Sequence, residues 1–290
     1  MNILCFHVPS DDPDKARRYW RMYQLMAASL LKVHANARFI LVTHDEAIVP
    51  RGLCVDKFIR IGADIAPWYQ FHLLRTYGWL AYVSSRLFDD DTMSVDTDIL
   101  FQRDPSAAFD GSFDLGLTYE CIQKTHWASQ GKINSGVMFM RPEHPDRMKR
   151  FFTEFYETLL SMKDQPDERF LIDGQHPTLK EWGGDEIALM ALFGEGELAS
   201  PEQEPKTLLR NGLRVRTFPS RPWNCQIRCK SDGTLTMPYL EDVVARHFNG
   251  KRKRLIEDYA KRHLGMYFDE DPSLPLGGRL VDQGALSSRL

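Results

Sequence analysis

Thr92-Met93-Ser94-Val95-Asp96-Thr97-Asp98-Ile99-Leu100-Phe101 is the stretch that decides the fold. It enters apolar, turns acidic and becomes apolar again. A short apolar run of this kind reads as a buried strand. Residues two apart on a strand point to one side, so Asp96 and Asp98 would share a side where the strand ends. Two carboxylates there are costly to bury unpaired. A metal ion removes that cost, and oxygen ligands suit Mg²⁺ or Mn²⁺. Open α/β sheets bind ligands at the carboxyl ends of their strands, so position and chemistry agree. A solvated acidic turn is the plainer alternative, because Asp-x-Asp is a common pattern. Asp89-Asp90-Asp91 is equally acidic but has no apolar run leading into it, and it reads as an exposed loop.

Outward from this stretch the chain alternates between two periods. Residues 3–8 form a short apolar run that stops at Pro9-Ser10-Asp11-Asp12-Pro13, a buried strand followed by a turn. Residues 14–34 carry Tyr19, Met22, Tyr23, Met26 and Leu30 at three- and four-residue intervals, the spacing of an amphipathic helix. Strands follow at 38–43 and 55–61, a helix at 68–82, then the acidic strand itself. Further strands are expected at 113–119, 133–140 and 213–218, and helices at 147–162, 185–193 and 255–268. Near-continuous apolar strands alternating with helices imply an α/β fold, a mostly parallel central sheet flanked by helices. No internal repeat or linker divides it. Residues 1–255 read as one domain. Residues 256–290 read as a short C-terminal helical extension with a loose tail from Asp269, where Pro, Gly and Ser dominate.

The bulk composition excludes several classes. The chain has 290 residues, 43% hydrophobic and 27% charged, with net charge −3. That is an ordinary globular mix with material for a sizeable core and no global attraction to nucleic acid. Cys5, Cys54, Cys121, Cys225 and Cys229 are scattered. Only the last two are close, and no second Cys/His pair completes a zinc site. They read as reduced thiols of a cytoplasmic protein. The N-terminus lacks the basic and long apolar regions of a signal peptide. No stretch approaches the ~18 apolar residues of a membrane span. A soluble protein is expected, with peripheral contact at a membrane surface left open.

Three further motifs carry chemistry. Asn134-Ser135-Gly136 opens an otherwise apolar strand. Gly136 permits close approach of backbone or ligand, and Asn134 offers a donor and acceptors suited to sugar hydroxyls. Gly183-Gly184-Asp185-Glu186 precedes a helix. Asp185 would serve there as an N-cap, or the two acids would face a cleft and meet a developing oxocarbenium charge. His247 to Arg254 places His247, Gly250 and Lys253 in H-x-x-G-x-x-K spacing. An imidazole could then reach a metal while a lysine one turn on meets phosphate oxygens. A solvated basic face is the alternative.

In order and spacing, these motifs resemble the GT-A-fold (Rossmann-like) glycosyltransferases, most nearly the family 8 type that includes glycogenin and bacterial lipopolysaccharide galactosyl- and glucosyltransferases. The matching segments are Asp96-Thr97-Asp98, Asn134 to Met138, Gly184-Asp185-Glu186 and His247-x-x-Gly250-x-x-Lys253, with Pro222-Trp223-Asn224 resembling the segment before the last. The likeness covers residues 1–255. It implies that Asp96, Asp98 and His247 hold Mn²⁺ or Mg²⁺ against the donor diphosphate, and that Lys253 binds phosphate under a loop closed at Gly250. Asn134, Asp185 and Glu186 would surround the sugar, with Asp185 and Glu186 as catalytic acids. Thr97, Ser135 and Gly136 would join the donor site. Phe6, His7 and Val8 would lie by the nucleotide base, and Arg75 would contact the donor. The family usually has Gln after the helix-start Asp, where this chain has Glu186. The first strand end, His7-Val8-Pro9-Ser10, lacks the Thr-Asp-rich pattern often seen in the family.

The implied reaction moves a hexose from a nucleoside diphosphate sugar, with UDP-glucose and UDP-galactose the first expectations, to a hydroxyl of a carbohydrate, glycolipid or protein, with retention. Three alternatives stay open: a non-catalytic nucleotide-sugar-binding protein of the same fold, a metal-dependent sugar nucleotidyltransferase, and an anionic-surface binder acting through residues 251–254. The net charge disfavours the last of these and any nucleic-acid partner.

Overall fold

The structure is a computed structural model and describes residues 1–8, 10–66, 70–120, 132–162, 184–193, 206–227 and 239–283. Cys121, Gly183 and Cys229, the first residues of the expected helix 68–82, and the chain beyond 283 lie outside these.

The first strand, β1 (Asn2–His7), is central and wholly buried. The chain leaves it through α1 (Pro13–Val33), whose N-terminus is capped by the Asp12 carboxylate accepting from Asp14 N and Lys15 N. It returns as β2 (Arg38–His44), pairs outward with β3 (Lys57–Ile61), crosses through α2 (Phe71–Val83) and enters β4 (Thr92–Val95) on the other side of β1. The pairs β1–β2, β2–β3 and β1–β4 are parallel. The strand order therefore reverses between β1 and β4, where such sheets open a ligand crevice at the carboxyl ends of their strands.

Beyond β4 the sheet becomes mixed. The strand β5 (Ile99–Phe101) leaves it, and the main sheet continues with β6 (Leu115–Glu120), β7 (Lys132–Met140), β8 (Thr207–Arg210) and β9 (Leu213–Pro219) in the order β3-β2-β1-β4-β7-β6-β9-β8. Here β7 runs antiparallel to β4, with Val137 opposite Val95. That direction brings the start of β7, Asn134 to Gly136, to the carboxyl end of β4. A second sheet, in the order β10 (Cys225–Gln226), β11 (Ala245–His247), β5, sets His247 opposite Ile99.

The central strands β1, β2 and β4 bury both faces. Ile3, Cys5, Phe39, Leu41, Met93 and Val95 pack with Met22, Tyr23, Met26 and Leu30 of α1. On the opposite face Leu4, Phe6, Ile40, Val42 and Met138 pack with Leu74 and Trp79 of α2, with Phe152 and Phe155 of α3 (Pro145–Met162), and with Ala188 and Leu189 of α4 (Gly184–Phe193). Gly78 sets how near α2 comes. A Cβ there would fall 2.6 Å from Phe6 Cε1 and 2.7 Å from Val42 Cγ1. A helical glycine costs about 1 kcal/mol against alanine, and here it lets α2 lie against β1 and β2.

Two expectations need correction. The run 92–101 is two strands rather than one, with Asp96 to Asp98 forming the turn between them. The chain swaps sheets there, as Asp96 N–H donates to Gly136 O (2.9 Å) and Phe248 N–H to Asp98 O (2.9 Å). The carboxylates therefore converge through a turn and not through strand pleating. The stretch 255–268 and the tail also differ. Helical turns over Gly250–Leu255, Ile256–Tyr259 and Ala260–Leu264 end at Gly265, which adopts φ 68°. An antiparallel pair, β12 (Met266–Glu270) and β13 (Gly278–Asp282), then stands where a loose tail was expected. Phe268 joins the α1-side core, and Arg21 of α1 lies over its ring at 4.1 Å while bonding Glu270 and Glu257. Among the described residues no helix is long and apolar enough to cross a membrane.

Candidate functional site

Asp96, Asp98 and His247 meet at the carboxyl end of β4. One ligand atom from each lies within 4.8 Å of the other two. His247 Nε2 is 3.3 Å from Asp98 Oδ1 and 3.7 Å from Asp96 Oδ2. Lys253 Nζ reaches Asp98 Oδ2 at 3.2 Å and lies 5.2 Å from the Tyr19 ring. Burial works to raise the Asp98 pKa, but His247 and Lys253 outweigh it and hold the carboxyl well below its ordinary range. Burial likewise opposes charge on His247 and Lys253, and Asp98 reverses the balance, so both are pushed up. The cluster stays charged although Asp98 and His247 are buried.

The floor of the site requires a residue without a side chain. A Cβ on Gly136 would lie 2.8 Å from His247 Cε1, 2.8 Å from Asn134 Oδ1 and 3.0 Å from Asp96 Oδ2. The space above this backbone is therefore reserved for the acidic and imidazole groups. Two carboxylates and one imidazole form a donor set suited to Mn²⁺ or Mg²⁺. The residues present fit such an ion.

A second layer joins the metal-type cluster to α4. Arg75, buried on α2, places Nη2 2.9 Å from Asp96 Oδ1 and Nη1 3.3 Å from Asp185 Oδ2, and donates to Ser135 O. Its guanidinium lies over the Trp79 ring at 4.8 Å. Asp185 also accepts from Ser135 Oγ (2.8 Å) and pairs with His72 Nδ1 (3.0 Å). Burial would raise the Asp185 pKa, but Arg75 and His72 hold it far below the usual carboxylate range. Asp185 therefore ties α2, β7 and α4 together through both of its oxygens. Glu186, one residue on, is half-buried and near enough to contribute to the raised pKa of Arg75.

The structure brings Arg75, Asp96, Asp98, Asn134, Ser135, Gly136, Asp185, His247 and Lys253 into one connected site. Thr97 is half-buried in the turn between Asp96 and Asp98. Gly250 has φ +58° with open space around a would-be Cβ. Phe6, His7 and Val8 end β1 beside the site, but their side chains differ in use. Phe6 packs edge-on against Trp79, His7 stacks on Trp20 at 3.6 Å, and Val8 is half-buried. Burial lowers the His7 pKa to about 3.

Two site residues, His72 and Tyr19, escape the sequence reading, and a third, Asn224, appears there only within Pro222-Trp223-Asn224, without a role. His72 lies one helical turn before Arg75, and i,i+3 spacing on a helix is the signal that links them. Tyr19 faces Lys253 from α1. Asn224 ends the turn Ser220–Trp223, and its Oδ1 faces His247 Nδ1 at 2.8 Å.

Comparison with known proteins agrees with the fold. The family profile described as nucleotide-diphospho-sugar transferase matches residues 89–249. No curated protein matches the chain by sequence. Among solved structures, the galactosyltransferase LgtC in complex with donor and acceptor sugar analogs superposes with TM-score 0.51 at 17% identity, covering 87% of this chain and 88% of that one. An active-site Gln-to-Glu mutant of LgtC gives TM-score 0.52 at 16% identity, covering 90% and 95%. These two share the fold. By the profile, which spans more than half of its length, the chain belongs to the nucleotide-diphospho-sugar transferase family, and it is a glycosyltransferase that shares the GT-A fold of LgtC.

Proposed function

We propose that the protein transfers a hexose from a UDP-sugar, UDP-glucose or UDP-galactose, to an acceptor hydroxyl with retention, using Mn²⁺ or Mg²⁺ held by Asp96, Asp98 and His247. The observation that carries this is the convergence of those three ligand groups over Gly136, with Lys253 at their edge. When bound, the metal supplies charge for the departing diphosphate.

The chain's own groups do the rest. Lys253, a third exposed, stands where phosphate oxygens would meet a charge-assisted donor. Arg75 holds Asp96 in place while keeping Asp185 ionised. Asp185 is spent on positioning, because both its oxygens already accept. We assign Glu186 to the anomeric carbon. A carboxylate there stabilises the positive charge that builds as the diphosphate leaves, or attacks it and is displaced in turn by the acceptor; two inversions then give retention. Asn134, buried at the start of β7, borders the sugar side.

A panel of nucleoside diphosphate sugars with Mn²⁺ tests the reading. UDP release from UDP-glucose or UDP-galactose, abolished by chelator, is expected. Pyrophosphate release from UTP and a sugar 1-phosphate would assign a nucleotidyltransferase instead. Binding of a UDP-sugar with neither transfer nor hydrolysis would leave a non-catalytic binding protein.

A further inference from the structure

We infer that Asn224 is a positioning residue that holds a proton of His247 on Nδ1 and so leaves Nε2, the nitrogen beside Asp96 and Asp98, as the one that would meet a metal ion. The inference rests on the metal-site reading above and concerns how the imidazole is made ready for it.

The hydrogen-bond network determines the tautomer without reference to any ion. Gly136 N–H donates to Asn134 Oδ1 at 2.9 Å, which identifies that atom as an acceptor. Asn224 Nδ2 donates to the same oxygen at 2.9 Å and to Thr118 Oγ1 at 2.8 Å. The amide nitrogen is thereby located, so the oxygen of Asn224 is the atom 2.8 Å from His247 Nδ1. An amide oxygen only accepts, so the proton sits on Nδ1. Nε2, 3.3 Å from Asp98 Oδ1, is then the nitrogen that would give up its proton to a metal ion shared with Asp98. A hydrogen bond to the distal nitrogen is the usual means of setting which imidazole nitrogen binds a metal and how basic it is.

Asn224 is itself held. It is fully buried. Thr118 donates to Asn134 O at 2.6 Å from just past a bulge in β6 between Leu117 and Thr118. A bulge re-aims the side chain that follows it, and here the result is a fixed partner for the Asn224 amide. The network thus runs from the floor glycine through two asparagines to the imidazole, joining β6, β7 and β11.

The test is Mn²⁺ binding, followed by calorimetry and by the paramagnetic signal of free Mn²⁺, together with the tautomer of His247 read from side-chain ¹⁵N spectra of the neutral ring. Asn224→Ala is expected to weaken Mn²⁺ binding about 10–100-fold and to shift His247 from the Nδ1–H pattern. Asn224→Asp keeps an oxygen against Nδ1–H and is expected to bind Mn²⁺ close to wild type. In a His247→Ala background, Asn224→Ala should cost no further Mn²⁺ affinity, whereas a purely structural role would add its cost there too. Wild-type affinity in Asn224→Ala, equal losses in the Ala and Asp variants, or additive losses in the double variant would overturn the proposal. If both variants fail to fold, the wild-type spectrum decides it: an Nε2–H pattern overturns the assignment and an Nδ1–H pattern supports it. Absence of Mn²⁺ uptake by wild type itself would be a failure of the metal reading, and the tautomer spectrum separates that failure from this one.

Discussion

Arg75 Nη2 lies 2.9 Å from Asp96 Oδ1, so a cation buried on α2 is bound to the first acid of the Asp96-Thr97-Asp98 turn. The same guanidinium serves Asp185 on α4. Removing it takes the guanidinium from two acids, one of them, Asp185, buried and left with His72 and Ser135. Breaking a buried pair from one side costs about 3–5 kcal/mol. Arg75→Met should therefore lose on that order of stability in urea melts at pH 7. The sign with pH follows from Asp185, whose pKa is depressed in the fold. In wild type its contribution is complete above the unfolded carboxyl value and is lost as pH falls through and below it. Without Arg75 the largest part of that contribution is lost, with His72 and Ser135 keeping the rest, so the deficit against wild type should shrink below about pH 4. A deficit that does not change with pH would place the cost in packing against Trp79 instead.

Gly136→Ala tests the reserved floor. The added methyl would fall within 3.0 Å of Asn134, His247 and Asp96. Overpacking of this kind costs about 1–3 kcal/mol, and the displaced groups are the proposed ligands. The expected result is a folded protein with weakened Mn²⁺ binding and little Mn²⁺-dependent transfer. Wild-type transfer would show that the ligands can move aside at no cost.

Glu186→Gln separates the two acids of α4. If Glu186 faces the anomeric carbon, turnover should drop about 10²–10³-fold while Mn²⁺ and UDP binding stay close to wild type. Unchanged turnover would remove Glu186 from the reaction.

His7 gives a pH-dependent signature independent of the site. Its pKa is lowered by burial to about 3, against an unfolded value near 6.5. The unfolded chain therefore binds a proton below about pH 6.5 that the fold refuses. The His7 contribution to stability is present above that pH and falls by about 1.4 kcal/mol per pH unit on the way down toward 3. His7→Phe keeps an aromatic ring against Trp20, and its stability profile should be flatter between pH 6.5 and 4. Parallel profiles would show that His7 is protonated in the fold.

The central sheet was legible because its strands are apolar on both faces, and Ile3 to Phe6 or Phe39 to Val42 leave little choice but burial between helix layers. The acidic turn was legible as a site for the same reason: Asp96 and Asp98 interrupt such a strand. What the sequence hid is the exchange of sheets at that turn. The strands β5, β10 and β11 have three residues or fewer, too few to show a period. His247 could thus be named from its spacing to Lys253, but not placed opposite Ile99. The hairpin β12–β13 was hidden by its turn, since Asp271, Ser273 and Gly277 belong to the bend between strands that do pair. His72 and Asn224 act through hydrogen bonds to residues 113 and 23 positions away. Local pattern carries no trace of such partners.

UDP release from a UDP-hexose by wild type and Asp98→Asn, each with Mn²⁺ and with excess chelator, tests the metal site most directly. Release by wild type with Mn²⁺, none in chelator, and a drop on the order of 10³-fold in Asp98→Asn with the fold retained are expected. Equal release in chelator by both proteins would contradict a metal and diphosphate site at Asp96-Thr97-Asp98.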